Sequence, residues 1–485
     1  MRDLNIIVRK SLPKLISLLA SNKHLRHTLL PLIEKKAKEA LIKDRESIEI
    51  ESQINEEYRL LMNLLRTIVK RWDEGLLCNN NIKSLERNFS NNMVFKNTEL
   101  GKKALSKKTD LPFFMVISPT DYCNLRCKGC YASSHDKKHT FLSYETFDKI
   151  LTQKKELWGS YFTVISGGEP LFWEYENKTI FDIFKKHNDQ FFLMYTNGTM
   201  LNKENVKKLA KLGNVTPCIS LEGFEKETDY RRGEGVFKKI LESFKNLREE
   251  GVLFGISVTA TKKNVDIISS TEFIDFCFNQ EKAYYGWLFQ YMPIGRGVDL
   301  ELLITPEQRL DLYKKVRYIQ TELGIFYIDF WNNGYLTSGC ISSGRDGGYF
   351  YVDWSGNVMP CVFTPFSTLN IYEVFKDGKD LNSILESEFF MDIREWQKKY
   401  GYRRKESPGN FILPCPIRDH YKDFFTIIKE NNARPIGSSA EKSINSKDYY
   451  NEMIQYGNNL SSIFDNIWES EFLCNCDKKA GVIKS

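Results

Sequence analysis

Six short apolar runs constrain what this chain can fold into more than any other feature. They are FFMVIS (113–118), YFTVIS (161–166), FFLMYTN (191–197), VTPCISLEG (215–223), LFGISVTAT (253–261) and YGWLFQYMP (285–293). Each is bounded by turn residues and rich in β-branched and aromatic side chains, so each reads as a strand. Stretches of helical periodicity separate them, for example YETFDKILTQKKELWG and GVFKKILESFKNLREEG. Buried apolar strands alternating with helices predict a parallel sheet with helices outside it.

The remaining chain sorts into extensions around that unit. Its 485 residues, 42% hydrophobic and 27% charged, describe a globular protein of two to four domains. Residues 1–75 read as a helical extension, with an amphipathic stripe of Leu4, Ile7 or Val8, Leu15, Ile16 and Leu19 beside Arg9, Lys10 and Lys14. Residues 1–44 carry ten Lys/Arg against four Asp/Glu, which is the whole of the chain's net +6. Charge confined to one end argues against a general nucleic-acid binder. A basic amphipathic helix suits either an anionic membrane surface or a cap docked on a catalytic domain. Residues 76–110 read as a linker or irregular wrap, 111–300 as the strand–helix unit, 301–430 as a small α+β domain, and 431–485 as a helical C-terminal segment. No signal peptide or transmembrane span is expected. The expected location is cytoplasmic, with membrane association through the N-terminus as the open alternative.

Cys123, Cys127 and Cys130 stand in SPTDYCNLRCKGCYASS, directly after the first strand. This CxxxCxxC loop can bring three thiolates to one face of a cubane iron–sulfur cluster and leave one iron without a protein ligand. Zinc would want a matching second pair nearby. Disulfides would want an oxidising compartment. Three core cysteines in eight residues of a polar loop would be a poor core pattern. Polar motifs also close the following strands: Ser166-Gly167-Gly168-Glu169-Pro170, Tyr195-Thr196-Asn197-Gly198 and Ser220-Leu221-Glu222-Gly223, then RRGEGVF at 231–237. In parallel barrels, function sits at the C-terminal strand ends.

Together these motifs resemble the radical S-adenosylmethionine (SAM) enzymes. The resemblance implies a partial (β/α)6 TIM-like barrel with an N-terminal helical extension and a small C-terminal α+β iron–sulfur domain. It implies that Cys123, Cys127 and Cys130 hold a SAM-binding 4Fe–4S cluster, with Tyr131 beside it. The backbone at Gly167 and Gly168 would hold SAM's amino group, buttressed by Glu169. Ser220 and Arg232 would meet its ribose or carboxylate, with Asn197 close by and Ser257 a weaker candidate. The activity implied is reductive cleavage of SAM to a 5′-deoxyadenosyl radical followed by hydrogen abstraction, fed by a flavodoxin- or ferredoxin-type electron donor.

Cys340 and Cys361 frame a C-x15-G-x4-C pattern around Gly356. It is similar to the opening of the SPASM and twitch modules, which hold auxiliary 4Fe–4S clusters. YFYVDWSGNVMPC reads as a β-hairpin turning at Ser355-Gly356-Asn357, which returns Cys361 towards Cys340. The dense cysteine block of a full SPASM module is missing; Cys415 alone follows, then Cys474 and Cys476. The expectation is one auxiliary cluster on Cys340, Cys361 and Cys415, with Cys474 or Cys476, another group or substrate as fourth ligand. A structural zinc site remains the alternative. Cys78, Cys218 and Cys277 read as packing residues, and His420 as a weak catalytic candidate whose ordinary reading is structural. The substrate classes left open are a peptide or protein (maturase-type) and membrane lipid acyl chains. A non-catalytic iron–sulfur electron carrier would predict loss of the SAM motifs, which are intact.

Overall fold

The computed structural model describes residues 23–45, 49–87, 111–135 and 139–473. The amphipathic stripe at residues 4–20 lies outside them. All six expected strands form: β1 (Phe114–Ile117), β2 (Phe162–Ile165), β3 (Phe191–Thr196), β4 (Val215–Ser220), β5 (Gly255–Ala260) and β6 (Tyr285–Gln290). They pair in parallel in chain order. Helices such as Tyr144–Trp158, Lys203–Leu212 and Val236–Glu249 make the crossovers. Parallel strands need such crossovers, because a tight turn cannot return the chain in the same direction. The helix Tyr144–Trp158 shows local sequence logic at both ends. Ser143 Oγ accepts from the Thr146 backbone N–H at its start, and Gly159 ends it at φ 61°.

The sheet is larger than the six strands expected. A seventh parallel strand, β7 (Tyr327–Asp329), joins β6 after the helix Pro306–Thr321, so the strand–helix alternation runs past residue 300. At the other edge the expected hairpin forms as β8 (Tyr351–Val352) and β9 (Asn357–Met359), with Gly356 at φ 79° in its turn. β8 then pairs in parallel with β1, matching Val116 to Tyr351 and Ile117 to Val352. With β10 (Leu369–Asn370) at the edge, one open sheet runs β10-β9-β8-β1-β2-β3-β4-β5-β6-β7. The fold is α/β, and its sheet is an open partial barrel rather than a closed one. Two- and three-residue strands leave no periodicity to read, so β7 and the β8–β1 pairing were invisible in the sequence.

The described part of the N-terminal extension docks on the outside of this unit. From the helix Glu51–Asp73, Gln53 Nε2 donates to the Tyr335 carbonyl at 2.9 Å and Asn63 Nδ2 to the Gln320 carbonyl at 2.8 Å. The helix Lys23–Arg45 rests on it through Arg26–Asp73 at 2.5 Å and Arg66–Glu34 at 2.7 Å. Within the span expected to be irregular, Asn79–Arg87 is helical. The C-terminal segment, expected to be helical from residue 431, opens instead on a two-residue strand, Arg434–Pro435, paired antiparallel with Phe366–Ser367, and is helical through Ser438–Asn445 and Lys447–Trp468. Leu460, Phe464 and Trp468 of the last helix pack with Tyr313, Tyr335 and Phe411. No helix among the described residues is long and apolar enough to cross a membrane.

Ile256, the second residue of β5, is fully buried between β4 and β6. Ile256→Ala is expected to lower stability by about 2–5 kcal/mol, read as a reduced denaturation midpoint, while iron uptake per folded chain stays unchanged.

Candidate functional site

The CxxxCxxC loop leaves β1 at its C-terminal end and is held by backbone contacts. The backbone N–H of Cys123 donates to the His135 carbonyl at 3.1 Å, and that of Lys128 to the Arg231 carbonyl at 2.9 Å. Arg296, in the turn after β6, clamps the loop from above. Its backbone N–H donates to the Cys130 carbonyl at 2.8 Å, its Nη1 to the Cys127 carbonyl at 2.9 Å, and its Nη2 to the Ser134 carbonyl. The neighbouring Gly295, at φ 70°, leaves no room for a side chain: a Cβ there would sit 2.2 Å from the Tyr131 carbonyl oxygen. Sequence reasoning assigned Arg296 no role, although its IGRG stretch follows a strand end.

This loop brings the three thiols near enough to interact electrostatically. Cys123 is buried, and burial pushes its thiol up to about 12. Burial also raises the Cys127 thiol, opposed chiefly by Arg232. Cys123 and Cys127 must therefore each release a proton to become metal ligands. Among the described residues, no three His, Cys, Asp or Glu side chains are gathered as a single metal ion would require.

The glycines after β2 earn their place by close approach. A Cβ on Gly168 would lie 1.9 Å from the Tyr122 carbonyl oxygen, and one on Gly167, at φ 113°, 2.7 Å from that of Thr120. The backbone N–H groups of Gly168 and Glu169 donate to these same two carbonyls, Thr120 at 2.9 Å and Tyr122 at 2.7 Å. The turn is thus stitched to the cysteine loop through its amides. Its carbonyls remain the groups suited to accept from an ammonium. Tyr131, following the last cysteine, places its hydroxyl 3.3 Å from the Gly167 backbone N–H.

Glu169 is fully buried. Its Oε1 accepts from Thr196 Oγ1 at 2.8 Å and its Oε2 from the Asn197 N–H at 2.8 Å, joining the ends of β2 and β3. Burial raises its carboxyl to about 7, opposed by these donors. Asn197 Nδ2 in turn lies 3.6 Å from Cys123 Sγ and 2.9 Å from Asn124 Oδ1. Ser220 ends β4, half-buried and in register with Ser257 of β5. The carboxylate that organises this side, Glu222, was read only as part of a motif. It is buried, and its Oε1 accepts from Arg231 Nη1 at 2.5 Å and from Arg232 Nε at 3.0 Å and Nη2 at 2.5 Å. Its Oε2 takes the Thr259 N–H at 3.1 Å. Arg231 also donates to the Lys128 carbonyl at 3.2 Å, which ties this network to the cysteine loop.

The second cysteine set also converges. Cys340 lies near enough to Cys361 and Cys415 to interact with both. Cys361 Sγ is 2.9 Å from the Tyr349 hydroxyl, and burial raises its thiol to about 12. Cys474 and Cys476 lie outside the described residues. A continuous group of aromatic rings joins the two cysteine loops. Phe363, two residues after Cys361, lies 5.9 Å from Tyr131, 5.8 Å from Phe289 of β6 and 5.1 Å from Trp331, centroid to centroid. Trp331 in turn sits against Cys415. No sequence period announced this wall, because its members come from four separate segments.

Other candidates fall away from the strand ends. His420 Nε2 lies 2.9 Å from the Leu413 carbonyl, and its ring packs on Tyr400 at 4.5 Å and Trp396 at 5.4 Å, a structural placement. Cys218 and Cys277 are fully buried in the core, and Cys78 Sγ lies 3.2 Å from Asn81 Oδ1. A cavity of about 730 Å³ among the outer helices, lined by Lys83, Lys185 and Lys211 among others, contains none of the motif residues.

Two substitutions probe this geometry. Gly168→Ala is expected to push the turn off the cysteine loop and abolish retention of reconstituted iron at that loop, measured by iron analysis after desalting. Glu222→Ala leaves two largely buried guanidinium groups without their anion. A loss of about 3–5 kcal/mol is expected, read from denaturant unfolding, with Glu222→Gln intermediate.

Comparison with known proteins places these observations in a family. Residues 117–266 match the model described as the Radical SAM superfamily. The chain is 26% identical over 343 residues to the AdoMet-dependent heme synthase of Methanosarcina barkeri (strain Fusaro / DSM 804), covering 65% of this chain and 90% of that one. It is 28% identical over 303 residues to the mycofactocin maturase MftC of Mycolicibacterium smegmatis (strain ATCC 700084 / mc(2)155), covering 59% and 74%. Among solved structures, SuiB of Streptococcus suis aligns at TM-score 0.49 and 19% identity, over 71% of this chain and 83% of that one. The matched span begins in β1 and runs through β5, taking in the cysteine loop and the strand-end motifs that follow it: residues 117–266 are a radical SAM domain, and the protein is an enzyme.

Proposed function

We propose that this radical SAM enzyme is a maturase acting on a peptide or protein, with a SAM-binding 4Fe–4S cluster on Cys123, Cys127 and Cys130 and an auxiliary cluster on Cys340, Cys361 and Cys415. The observation that carries the reading is that two separate cysteine sets each bring their thiols within electrostatic reach and are joined by the Tyr131–Phe363–Trp331 wall. The likeness to a maturase supports the substrate class. When bound, the reduced cluster with SAM supplies a 5′-deoxyadenosyl radical able to abstract hydrogen.

The chain's own residues bind, orient and exclude water. Three cysteines supply the protein ligands. Gly167 and Gly168 offer carbonyls for an ammonium, and Glu169 holds that turn against β3. Asn197 directs an N–H towards the Cys123 sulfur, the kind of contact that tunes an iron–sulfur centre. Glu222 holds Arg232 in place for an anionic or hydroxyl-rich partner, since a guanidinium offers a planar fork. The aromatic wall keeps water from the space between the two loops. Ser220 and Ser257 present hydroxyls at adjacent strand ends. The reducing electron would come from a flavodoxin- or ferredoxin-type donor.

A second reading, a tetrapyrrole substrate, is favoured by the heme synthase relative. Lipid acyl chains have no observation of their own in the described residues.

Anaerobic reconstitution tests the proposal. About eight iron per chain are expected, with two paramagnetic reduced signals, one altered by SAM. Cys127→Ala should abolish formation of 5′-deoxyadenosine. Cys361→Ala should leave uncoupled SAM cleavage and yield no modified peptide. Deuterium carried from a labelled precursor peptide into 5′-deoxyadenosine would establish the substrate class. Deuterium appearing only from a labelled porphyrin would replace it with the second reading. Normal SAM cleavage by the Cys127 variant would overturn the primary site.

A further inference from the structure

Three charged side chains without solvent exposure, Arg309, Arg418 and Asp419, lie where the Cys415 turn meets the barrel. Asp419 Oδ1 accepts from Arg309 Nη1 at 2.7 Å and from Arg418 Nε at 3.0 Å, while its Oδ2 accepts from the Cys415 backbone N–H at 3.1 Å. Arg309 is otherwise satisfied: Nε donates to Asn332 Oδ1 at 2.8 Å and Nη2 to the Ile412 carbonyl at 2.7 Å. Arg418 is not. Its Nη1 donates to Gln290 Oε1, at the C-terminal end of β6, at 2.7 Å, but its buried Nη2 has no partner among the described residues. Its guanidinium lies over the Trp331 ring, 4.5 Å from the centroid, and Trp331 sits against Cys415.

The hydrogen-bonded charges here do not cancel, although Asp329 lies within electrostatic reach of Arg309. One carboxylate serves two arginines. The next acid, Asp329, is engaged by Gln290 Nε2 at 2.8 Å and by the backbone N–H groups of Trp331 and Asn332, not by either guanidinium's hydrogen bonds. A buried cation with an unused donor is costly unless an anion faces it. The neutral thiol of Cys415 is no such anion, but ligation of iron deprotonates it and adds the negative charge of the cluster.

We propose that Arg418 is the built-in countercharge of the auxiliary cluster, a positioning residue that raises that cluster's reduction potential while tying the Cys415 turn to the end of β6. This rests on the reading that Cys340, Cys361 and Cys415 hold a cluster. The sign follows from electrostatics: a fixed positive charge stabilises the reduced state, which carries one more electron.

The test uses the full chain with Cys123, Cys127 and Cys130 replaced by alanine, reconstituted anaerobically, so that only the auxiliary centre is read. Iron content and the midpoint potential from an EPR-monitored redox titration are compared for this parent and for Arg418→Gln and Arg418→Lys added to it. The parent should retain about four iron. Arg418→Gln should retain the same iron with its reduction equilibrium weakened at least tenfold, about 59 mV for one electron. Arg418→Lys, which keeps the charge, should stay near the parent. An Arg418→Gln chain with full iron and an unchanged potential overturns the proposal, as does a lysine variant shifted as far as the glutamine one. If Arg418→Gln fails to hold iron, Arg418→Lys decides: retention at the parental potential supports the countercharge, and failure overturns it. A parent that takes up no iron overturns the cluster reading itself, and the proposal with it.

Discussion

The pairing of β8 with β1 is the interaction on which the rest of this structure depends. β1 carries the CxxxCxxC loop at its C-terminal end, and β8 leads through the hairpin to Cys361. Two residues of parallel ladder, Val116 with Tyr351 and Ile117 with Val352, therefore hold the hairpin beside the strand that carries the first cysteine set, with Cys361 returned towards the start of β8, where the Tyr349 hydroxyl meets its sulfur. The ladder is short, but it is not exposed. Ile117 and Val352 are fully buried, and Val116 and Tyr351 nearly so. Hydrogen bonds in such a setting are expensive to lose, because the freed groups find no water.

The polar residues at the strand ends form a second layer of constraint. Glu169 and Glu222 are buried carboxylates, each bridging neighbouring strand ends and each in contact with the residues that position the cysteine loop. Burying a carboxylate is unfavourable unless it is met by donors, and both are met in full view of the loop. Their function is to hold backbone and guanidinium groups where a ligand would need them. Asp419 does the same for the Cys415 turn. The site is thus a rim of satisfied carboxylates around two sets of thiols, with aromatic rings between them.

Much of this was legible beforehand. The six strands fell where their apolar runs lay, the hairpin turned at Gly356, and the SGGEP, YTNG and SLEG motifs sat at the ends of β2, β3 and β4, whereas the RRGEGVF stretch joins two helices. The glycines of the turn after β2 were expected to hold a ligand's amino group through their backbone; their close approach to the Thr120 and Tyr122 carbonyls is a second demand that only the fold reveals. What stayed hidden was non-local or too short. β7 has three residues and β8 has two, which leaves no period to detect. Arg296 acts through backbone carbonyls far away in sequence, and Glu222 declares its role only when two arginines fold back onto it. The ring contacts of Tyr131, Phe289, Trp331 and Phe363 likewise exist only in three dimensions.

Sequence alone determined the layered α/β class, the strand-end placement of the motifs and the spacing of Cys123, Cys127 and Cys130, because periodicity and ligand spacing are local properties carried by neighbouring residues. Tertiary structure alone decided that the C-terminal hairpin extends the barrel sheet, that Cys340, Cys361 and Cys415 meet, and that Arg418 is left with an unused buried donor. Those facts depend on which distant segments share a buried surface. Burial is settled by the whole chain's packing at once, and no single segment encodes it.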